Sequence, residues 1–241
     1  MNVSHIQSFP VSMQTDPWHP VPPPASEQEL LARAGGLAGR TLRQVAGVVG
    51  MPVPLRLIHA KGWIGILMER FLGASAGAMP VPDFTELGIE LKTLPIGKDG
   101  RPRESTYVCS VALLPGGGDA QWENSLVKRK LSRILWIPVE ADPGIPVPER
   151  RIGSALLWSP DCRQEKILRQ DWEELMEKVM LGKLDQVSAH YGQYLQIRPK
   201  ARDARSLRMG TDAEGTLIKT LPRGFYLRVF FTRQILVASE A

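Results

Sequence analysis

The sequence predicts a mixed α/β fold, because segments with helical and strand periodicity follow one another irregularly along its 241 residues. Three helical segments come first, and strands interrupted by one short and one long helix follow them. The chain has no internal repeat and no regular strand–helix–strand rhythm. Hydrophobic residues at 43% and charged residues at 23% are ordinary values for a globular protein with an ample core.

The N-terminal part divides into an extension and a folded domain. Residues 1–25 are predicted to be a disordered, proline-rich N-terminal extension, because six prolines and few aliphatic residues cannot support a core. Residues 26–241 are predicted to form the folded domain, which is long enough for two lobes. The first two helices are predicted over 27–34 and 42–49, and each follows a capping-box pattern of Ser or Thr with Glu or Gln three residues later.

The remaining elements follow from periodicity and from turn signals. A third helix is predicted over 62–71, a short basic helix over 124–132 and a long amphipathic helix over 165–181. The segment 198–215 is predicted to be a basic loop or a broken helix, and the C-terminus is predicted to turn helical. Strands are predicted over 87–94, 105–113, 133–139, 151–158, 194–197 and 225–231.

Charge and cysteine content restrict the class of protein. Residues 191–241 hold nine Lys or Arg and four acidic residues, and this excess equals the whole net charge of +5. A basic C-terminal part indicates a polyanionic partner, or else a solvated face that aids solubility. No apolar run approaches the ~20 residues of a membrane span, and no signal-peptide pattern is present. We expect a cytoplasmic protein with Cys109 and Cys162 as free thiols, although a disulfide between them stays open.

An acidic and basic motif stands out in the segment 82–92. Asp83 is followed, after six residues, by Glu90-Leu91-Lys92. The surrounding apolar residues predict a strand, and alternate side chains of a strand share a face, so Glu90 and Lys92 should emerge side by side. Two carboxylates can hold Mg²⁺ through oxygen ligands, and a nearby lysine can activate a metal-bound water or offset phosphate charge. The pattern therefore indicates phosphodiester cleavage.

The same residues allow a plainer interpretation. On a surface strand, Glu90 and Lys92 would form a solvated ion pair worth about 0–1 kcal/mol and would have no catalytic role. These residue types are common on protein surfaces, so the short motif alone does not choose between the two interpretations. Longer patterns in the chain are needed for that choice.

Such patterns exist, and they extend in order over residues 26–232 without large gaps. The chain resembles the MutH family of DNA mismatch repair endonucleases and its Sau3AI-type restriction relatives. The residues that carry the resemblance are KGWIG at 61–65, FLGASAG at 71–77, LGIELKT at 87–93, LWIPVE at 135–140, LWSP at 157–160, DWEELM at 171–176, YLQIRPK at 194–200 and LPRGFYL at 221–227. This collinearity is far more specific than the catalytic motif.

The resemblance implies a restriction-endonuclease-like α/β fold with two lobes flanking a DNA-binding cleft. It implies a monomer that uses Mg²⁺ to nick double-stranded DNA 5′ to the G of GATC, on the unmethylated strand of hemimethylated or unmethylated sites. It also implies activation by MutL after MutS has found a mismatch. Residues 1–25 have no counterpart in the family.

The resemblance also assigns roles to residues. Asp83 and Glu90 match the metal-binding carboxylates, Lys92 the catalytic lysine, Glu69 a further acidic site residue with a metal role, and Lys130 a second active-site lysine. Glu69 and Lys130 could instead be solvated surface groups.

A second set matches the DNA-binding residues of the family. Lys61 matches a phosphate contact, and Arg198, Pro199 and Lys200 match a DNA-reading loop, in which Arg or Lys suits guanine O6 and N7. Tyr226 matches the residue placed near the target adenine. The alternative is that Tyr226 belongs to the core, but strand alternation places its apolar neighbours on the opposite face.

Two other functions compete with the strand-nicking repair endonuclease. One is a type II restriction endonuclease that recognises GATC without coupling to mismatch repair. The other is a DNA-binding module with a degraded site, against which the intact Asp83, Glu90 and Lys92 argue.

Overall fold

The computed structural model of the chain describes residues 21–114, 121–184, 187, 191–200 and 206–238. The six α-helices within them are α1 (Glu27–Gly35), α2 (Leu42–Val48), α3 (Trp63–Leu72), α4 (Leu126–Leu131), α5 (Cys162–Met180) and α6 (Val229–Ala238). The eight strands are β1 (Glu90–Ile96), β2 (Thr106–Ser110), β3 (Ile134–Glu140), β4 (Leu156–Trp158), β5 (Leu195–Pro199), β6 (Arg208–Thr211), β7 (Leu217–Thr220) and β8 (Arg223–Leu227). The mixed α/β prediction is confirmed.

Helix starts follow the caps that the sequence contains. The side chain of Thr41 accepts the backbone N–H of Gln44, and the side chain of Gln44 accepts that of Thr41, which opens α2. Asp161 and Gln164 make the same reciprocal pair at α5, so this helix begins three residues before the predicted start. These bonds satisfy N–H groups that the first helical turn leaves without partners.

The strands form three small sheets. In the first, β1 pairs in parallel with β3, and β3 pairs antiparallel with β4. In the second, β8 lies between β2 and β5 and is antiparallel to both. The third is the two-stranded ribbon of β6 and β7.

The first sheet separates two hydrophobic cores. Along β3, Leu135 and Ile137 pack into a core with α1, α2 and α3. The alternate residues Ile134 and Trp136 pack into a second core with α4, α5, α6 and the second sheet. One strand therefore serves both cores through its two faces, as the twofold periodicity of a strand allows.

Three predicted elements are corrected by the structure. The segment 198–215, predicted as a basic loop or broken helix, contains the end of β5 and the strand β6, while residues 201–205 lie outside the described part. The ribbon closes through a turn in which Asp212 Oδ1 accepts the N–H groups of Glu214 and Thr216. This turn reverses the chain, and the basic composition of the segment concealed it.

The other corrections concern strand ends. The predicted strand 225–231 stops at Leu227, and α6 begins at Val229, because the apolar run fits a helix as well as a strand. The predicted strand 151–158 is a strand only over Leu156–Trp158, with isolated bridges at Arg151 and Ile152.

Most of the predicted N-terminal extension lies outside the described residues, but residues 21–25 are described. The guanidinium of Arg33 donates to Pro22 O at 2.7 Å and to Leu72 O at 2.9 Å. Cys109 and Cys162 are free thiols, as predicted. Across the described ranges, every helix is too short or too polar to cross a membrane.

Candidate active site and nucleic-acid interface

The first strand of the fold begins with a buried carboxylate held by two lysines. Glu90 opens β1 and is 1% exposed. Lys92 Nζ lies 2.5 Å from Glu90 Oε1, and Lys130 Nζ lies 2.8 Å from Oε2 and 3.0 Å from Oε1. The structure therefore confirms the shared face of Glu90 and Lys92 and removes the interpretation of a solvated surface pair.

A tight loop brings Asp83 back to this strand. Phe84 and Ile89 exchange backbone hydrogen bonds, and Gly88 between them has φ of 64°, which favours glycine. The loop returns the chain so that Leu91 N donates to Asp83 Oδ2 at 2.8 Å. The six-residue gap of the motif is thus the length of a closed turn.

Glu69 completes the acidic group from the last turn of α3. Burial raises the pKa of Glu69, and the charges of Asp83 and Glu90 raise it further. Burial and then Glu90 also raise the pKa of Asp83, although the hydrogen bond from Leu91 opposes this. The three carboxylates therefore lie close enough for their negative charges to repel one another.

Lys130 reaches this group from α4. Ser125 caps that helix by accepting Lys128 N at 3.0 Å, and Val127 and Leu131 are buried in the second core. Lys130 lies on the remaining face, directed at Glu90. This contact joins residues that are forty positions apart, so only the family resemblance pointed to it.

The cysteine nearest to the acidic group is unreactive. Cys109 lies on β2 and feels the charges of Lys92, Lys130 and Glu90. Burial nevertheless raises its pKa to about 12, so the thiol stays protonated and is a poor nucleophile.

The carboxylate oxygens of this group are suitable ligands for a hard cation. In this structure, however, Lys92 and Lys130 contact the oxygens of Glu90. Across the described ranges, no group of three acidic, histidine or cysteine side chains is arranged to hold a metal ion by itself. Glu90 instead pairs with both lysines. Three carboxylates lie beside two ammonium groups here, and a cation that prefers oxygen ligands would offset the remaining negative charge.

The residues expected to read DNA meet on one face of the second sheet. Arg198 and Pro199 end β5, Lys200 follows, and all three are exposed. The guanidinium of Arg198 lies 5.8 Å from the centroid of the Tyr226 ring. Tyr226 is half-buried on β8 while Phe225 and Leu227 beside it are buried, so its predicted outward orientation is confirmed.

Tyr107 is a member of this group that the sequence did not reveal. Its ring lies 3.2 Å from Lys200 Nζ and 5.4 Å from the centroid of Tyr226. Its hydroxyl contacts Ser110 Oγ at 3.0 Å. An aromatic residue at an outward position of a strand was the available signal, but the pairing of β2 with β8 was needed to interpret it.

A glycine makes room for the two rings. A Cβ at Gly224 would lie 2.8 Å from Tyr107 Cε2 and 3.2 Å from Tyr226 Cε2. The close approach of both tyrosines therefore requires glycine at this position of β8. We call Tyr107, Arg198, Lys200 and Tyr226 the reading cluster.

Lys61 stands apart from both groups. It is exposed and precedes α3, whose cap Gly62 has φ of 80°. The same helix carries Glu69 at its other end, so α3 connects Lys61 to the acidic group.

Comparisons with known proteins agree with the resemblance seen in the sequence. A family model described as the DNA mismatch repair enzyme MutH matches residues 72–171. The DNA mismatch repair protein MutH of Vibrio parahaemolyticus is 53% identical over 216 residues, which is 90% of this chain and 95% of that protein. MutH of Vibrio campbellii is 54% identical with the same coverage. MutH of Escherichia coli K12 is 51% identical over 214 residues, with 89% of this chain and 93% of that protein covered.

Proposed function

The chain belongs to the MutH family of DNA mismatch repair proteins, and we propose that it nicks the unmethylated strand 5′ to the G of hemimethylated GATC sites with Mg²⁺. The observation that carries this proposal is the junction of Glu90 with Lys92 and Lys130, next to Asp83 and Glu69. Such a group can bind a scissile phosphate and direct water at it. The reading cluster lies on the neighbouring sheet.

Asp83, Glu90 and Glu69 are the residues that would hold Mg²⁺, since they supply oxygen ligands and since three carboxylates outnumber the two lysines beside them. When bound, the ion would polarise the scissile phosphate and lower the pKa of a coordinated water.

The lysines supply the remaining charge. Lys92 stabilises the attacking hydroxide or the negative charge that develops on the pentacovalent phosphorus, and Lys130 offsets charge beside it. The water oxygen bonds to phosphorus as the bond to the 3′-oxygen breaks, which leaves a 5′-phosphate and a 3′-hydroxyl. Burial of Glu90 keeps the ammonium groups in place before DNA arrives.

Recognition of the site is assigned to the exposed end of the second sheet. Arg198 and Lys200 suit guanine O6 and N7 in the major groove, and Pro199 can pack on a base edge. Tyr226 senses an N6-methyl group on adenine. Lys61 contacts a phosphate.

Family membership supports a proposal about the shape of the molecule and its partners. We propose that the two cores belong to two lobes that flank a DNA-binding cleft, as in restriction-endonuclease-like folds. The protein acts as a monomer in the cytoplasm and is activated by MutL, which MutS recruits at a mismatch.

The test is nicking of a supercoiled plasmid with one GATC site, in unmethylated, hemimethylated and fully methylated forms, with and without Mg²⁺ and MutL. We expect slow nicking of the first two forms, acceleration by MutL, and no cutting of the third form or without Mg²⁺. Linearisation independent of MutL would instead identify a restriction endonuclease. Absence of cutting under every condition would overturn the enzymatic function.

A further inference from the structure

A buried aspartate on the long helix binds the turn that leads into β5, the strand that carries Arg198 and is followed by Lys200. Asp171 lies on α5 and is 5% exposed. Its Oδ1 accepts Gln193 N at 2.7 Å, and its Oδ2 accepts Tyr194 N at 2.6 Å and Leu195 N at 2.8 Å. Three N–H groups on one carboxylate are charge-assisted bonds, which are stronger than bonds between neutral groups.

A second side chain holds the same turn from the opposite direction. Arg228, between β8 and α6, donates to Gly192 O at 2.9 Å and to Tyr191 O at 2.8 Å. Gly192 has φ of 80°, and a Cβ there would lie 1.9 Å from Leu195 O and 3.3 Å from Asp171 Cγ. The turn is therefore compact and admits only glycine at its centre.

The strand that follows needs such a clamp. Within the sheet of β2, β8 and β5, β5 lies at an edge and pairs with β8 alone. Its five residues place Gln196 opposite Tyr226 and Arg198 opposite Gly224. A slip by one residue would turn Arg198 to the other face of the sheet. The register of a short edge strand depends on its single ladder and on whatever fixes its end.

The same helix also contacts α4, which carries Lys130, and the segment just before α4. Arg169 Nη1 lies 3.2 Å from Glu123 Oε1, and Glu165 lies 3.4 Å from Lys128 Nζ. The rings of Trp172 and Trp122 are 5.9 Å apart. Residues Asp171 and Trp172 are adjacent, so one turn of α5 contacts the start of β5 and the segment before α4.

We propose that Asp171 is a positioning residue that fixes the register and height of β5, and thereby sets Arg198 and Lys200 against Tyr226. Through α5 this position is tied to the position of Lys130, so base reading and the catalytic lysine share one rigid support. This proposal rests on the proposed function, because it concerns discrimination between DNA sites.

The test compares Asp171→Asn with wild type in nicking of GATC and of a site with one base pair changed. An amide presents N–H groups to backbone N–H groups, so the turn loses bonds and β5 loosens. We expect the ratio of kcat/KM for the two sites to fall about tenfold, mainly through KM for the GATC plasmid. Leu168→Val is the matched control, since it loosens a core contact of the same helix while the three bonds to Asp171 remain. At a temperature where both variants are equally folded, the control should keep its ratio within about twofold.

A wild-type ratio in folded Asp171→Asn, or an equal loss in the control, would overturn the positioning role. If Asp171→Asn does not fold, Asp171→Glu takes its place, since it keeps the charge but moves the carboxylate away from its fit to the three N–H groups. A smaller fall in the same ratio supports the proposal, and an unchanged ratio overturns it. If the wild type itself shows no preference for GATC, the proposed function fails and this inference fails with it.

Discussion

The acidic end of β1 and the reading cluster hold their cations in different ways. At β1, the side chain of Glu90 is 2% exposed, and those of Lys92 and Lys130 are 14% and 13% exposed, so the charges are paired with one another away from solvent. In the reading cluster, Arg198 and Lys200 are exposed and lie over aromatic rings. By our proposal, the charges that act on a phosphate are thus paired and buried before DNA binds, while the charges that select a base sequence are exposed on the surface.

The largest expected effect comes from removing the buried charge of Glu90. Glu90→Gln keeps the shape of the side chain but removes the charge that holds two ammonium groups and, by our proposal, the metal. Nicking of GATC plasmid should fall about 10³-fold or more, while DNA binding should stay within about tenfold. Both are measured on the same preparation, by plasmid relaxation and by titration of a labelled duplex.

The matched control for this variant is Glu86→Gln, which removes an exposed carboxylate from the neighbouring turn. It should nick as the wild type does. If Glu90→Gln retained nicking, the carboxylate would be structural only.

A smaller effect is expected for substitutions in the exposed reading cluster. Lys200→Ala removes the ammonium group above Tyr107 and should reduce discrimination between GATC and an altered site by about 1–3 kcal/mol. The measurement is the ratio of binding constants for the two duplexes at one salt concentration. Lys219→Ala on the ribbon is the control, and it should weaken both duplexes equally. Equal weakening of both duplexes by Lys200→Ala would make Lys200 a phosphate contact.

The smallest expected effect is on stability, and here the substitution is a gain and not a loss. Because burial, Asp83 and Glu90 raise the pKa of Glu69 above its ordinary 4.5, ionised Glu69 destabilises the folded state at neutral pH. Glu69→Gln should therefore raise the free energy of unfolding at pH 7 by about 0.5–1 kcal/mol, a modest gain since the side chain is only half-buried. The gain should shrink as the pH falls through the raised pKa. Nicking should be lost.

Denaturant unfolding at several pH values, without metal, measures this effect. Glu174→Gln, which removes an exposed carboxylate on α5, should leave the free energy of unfolding nearly unchanged. A gain for Glu69→Gln that persisted at low pH would show that charge repulsion is not its cause.

Local rules in the sequence predicted much of the catalytic side. The shared face of Glu90 and Lys92 follows from the twofold period of a strand, and the helix starts follow from capping residues. The contact of Lys130 with Glu90 could not be predicted from local rules, because it depends on how α4 packs. The assignment of Lys130 came from the resemblance to the MutH family, which the comparisons confirm.

Local rules predicted less of the reading cluster and of the strands around it. Tyr107 joins Tyr226 because β2 pairs with β8, and strand partners distant in sequence leave no local signal. The ribbon of β6 and β7 was missed because its basic residues resemble a loop. The run after Phe225 was assigned to one strand, although its apolar residues also satisfy a helix, and α6 takes the second half.

The position of β3 between the two cores affects how the molecule unfolds. Its alternate residues belong to different cores, and it pairs in parallel with the strand that bears Glu90. Loss of either core would strip one face of β3 and expose the other core with it. The two halves should therefore melt in a single cooperative transition, with the amides of β1 and β3 among the last to exchange with solvent. The acidic group would then persist for as long as any part of the fold does.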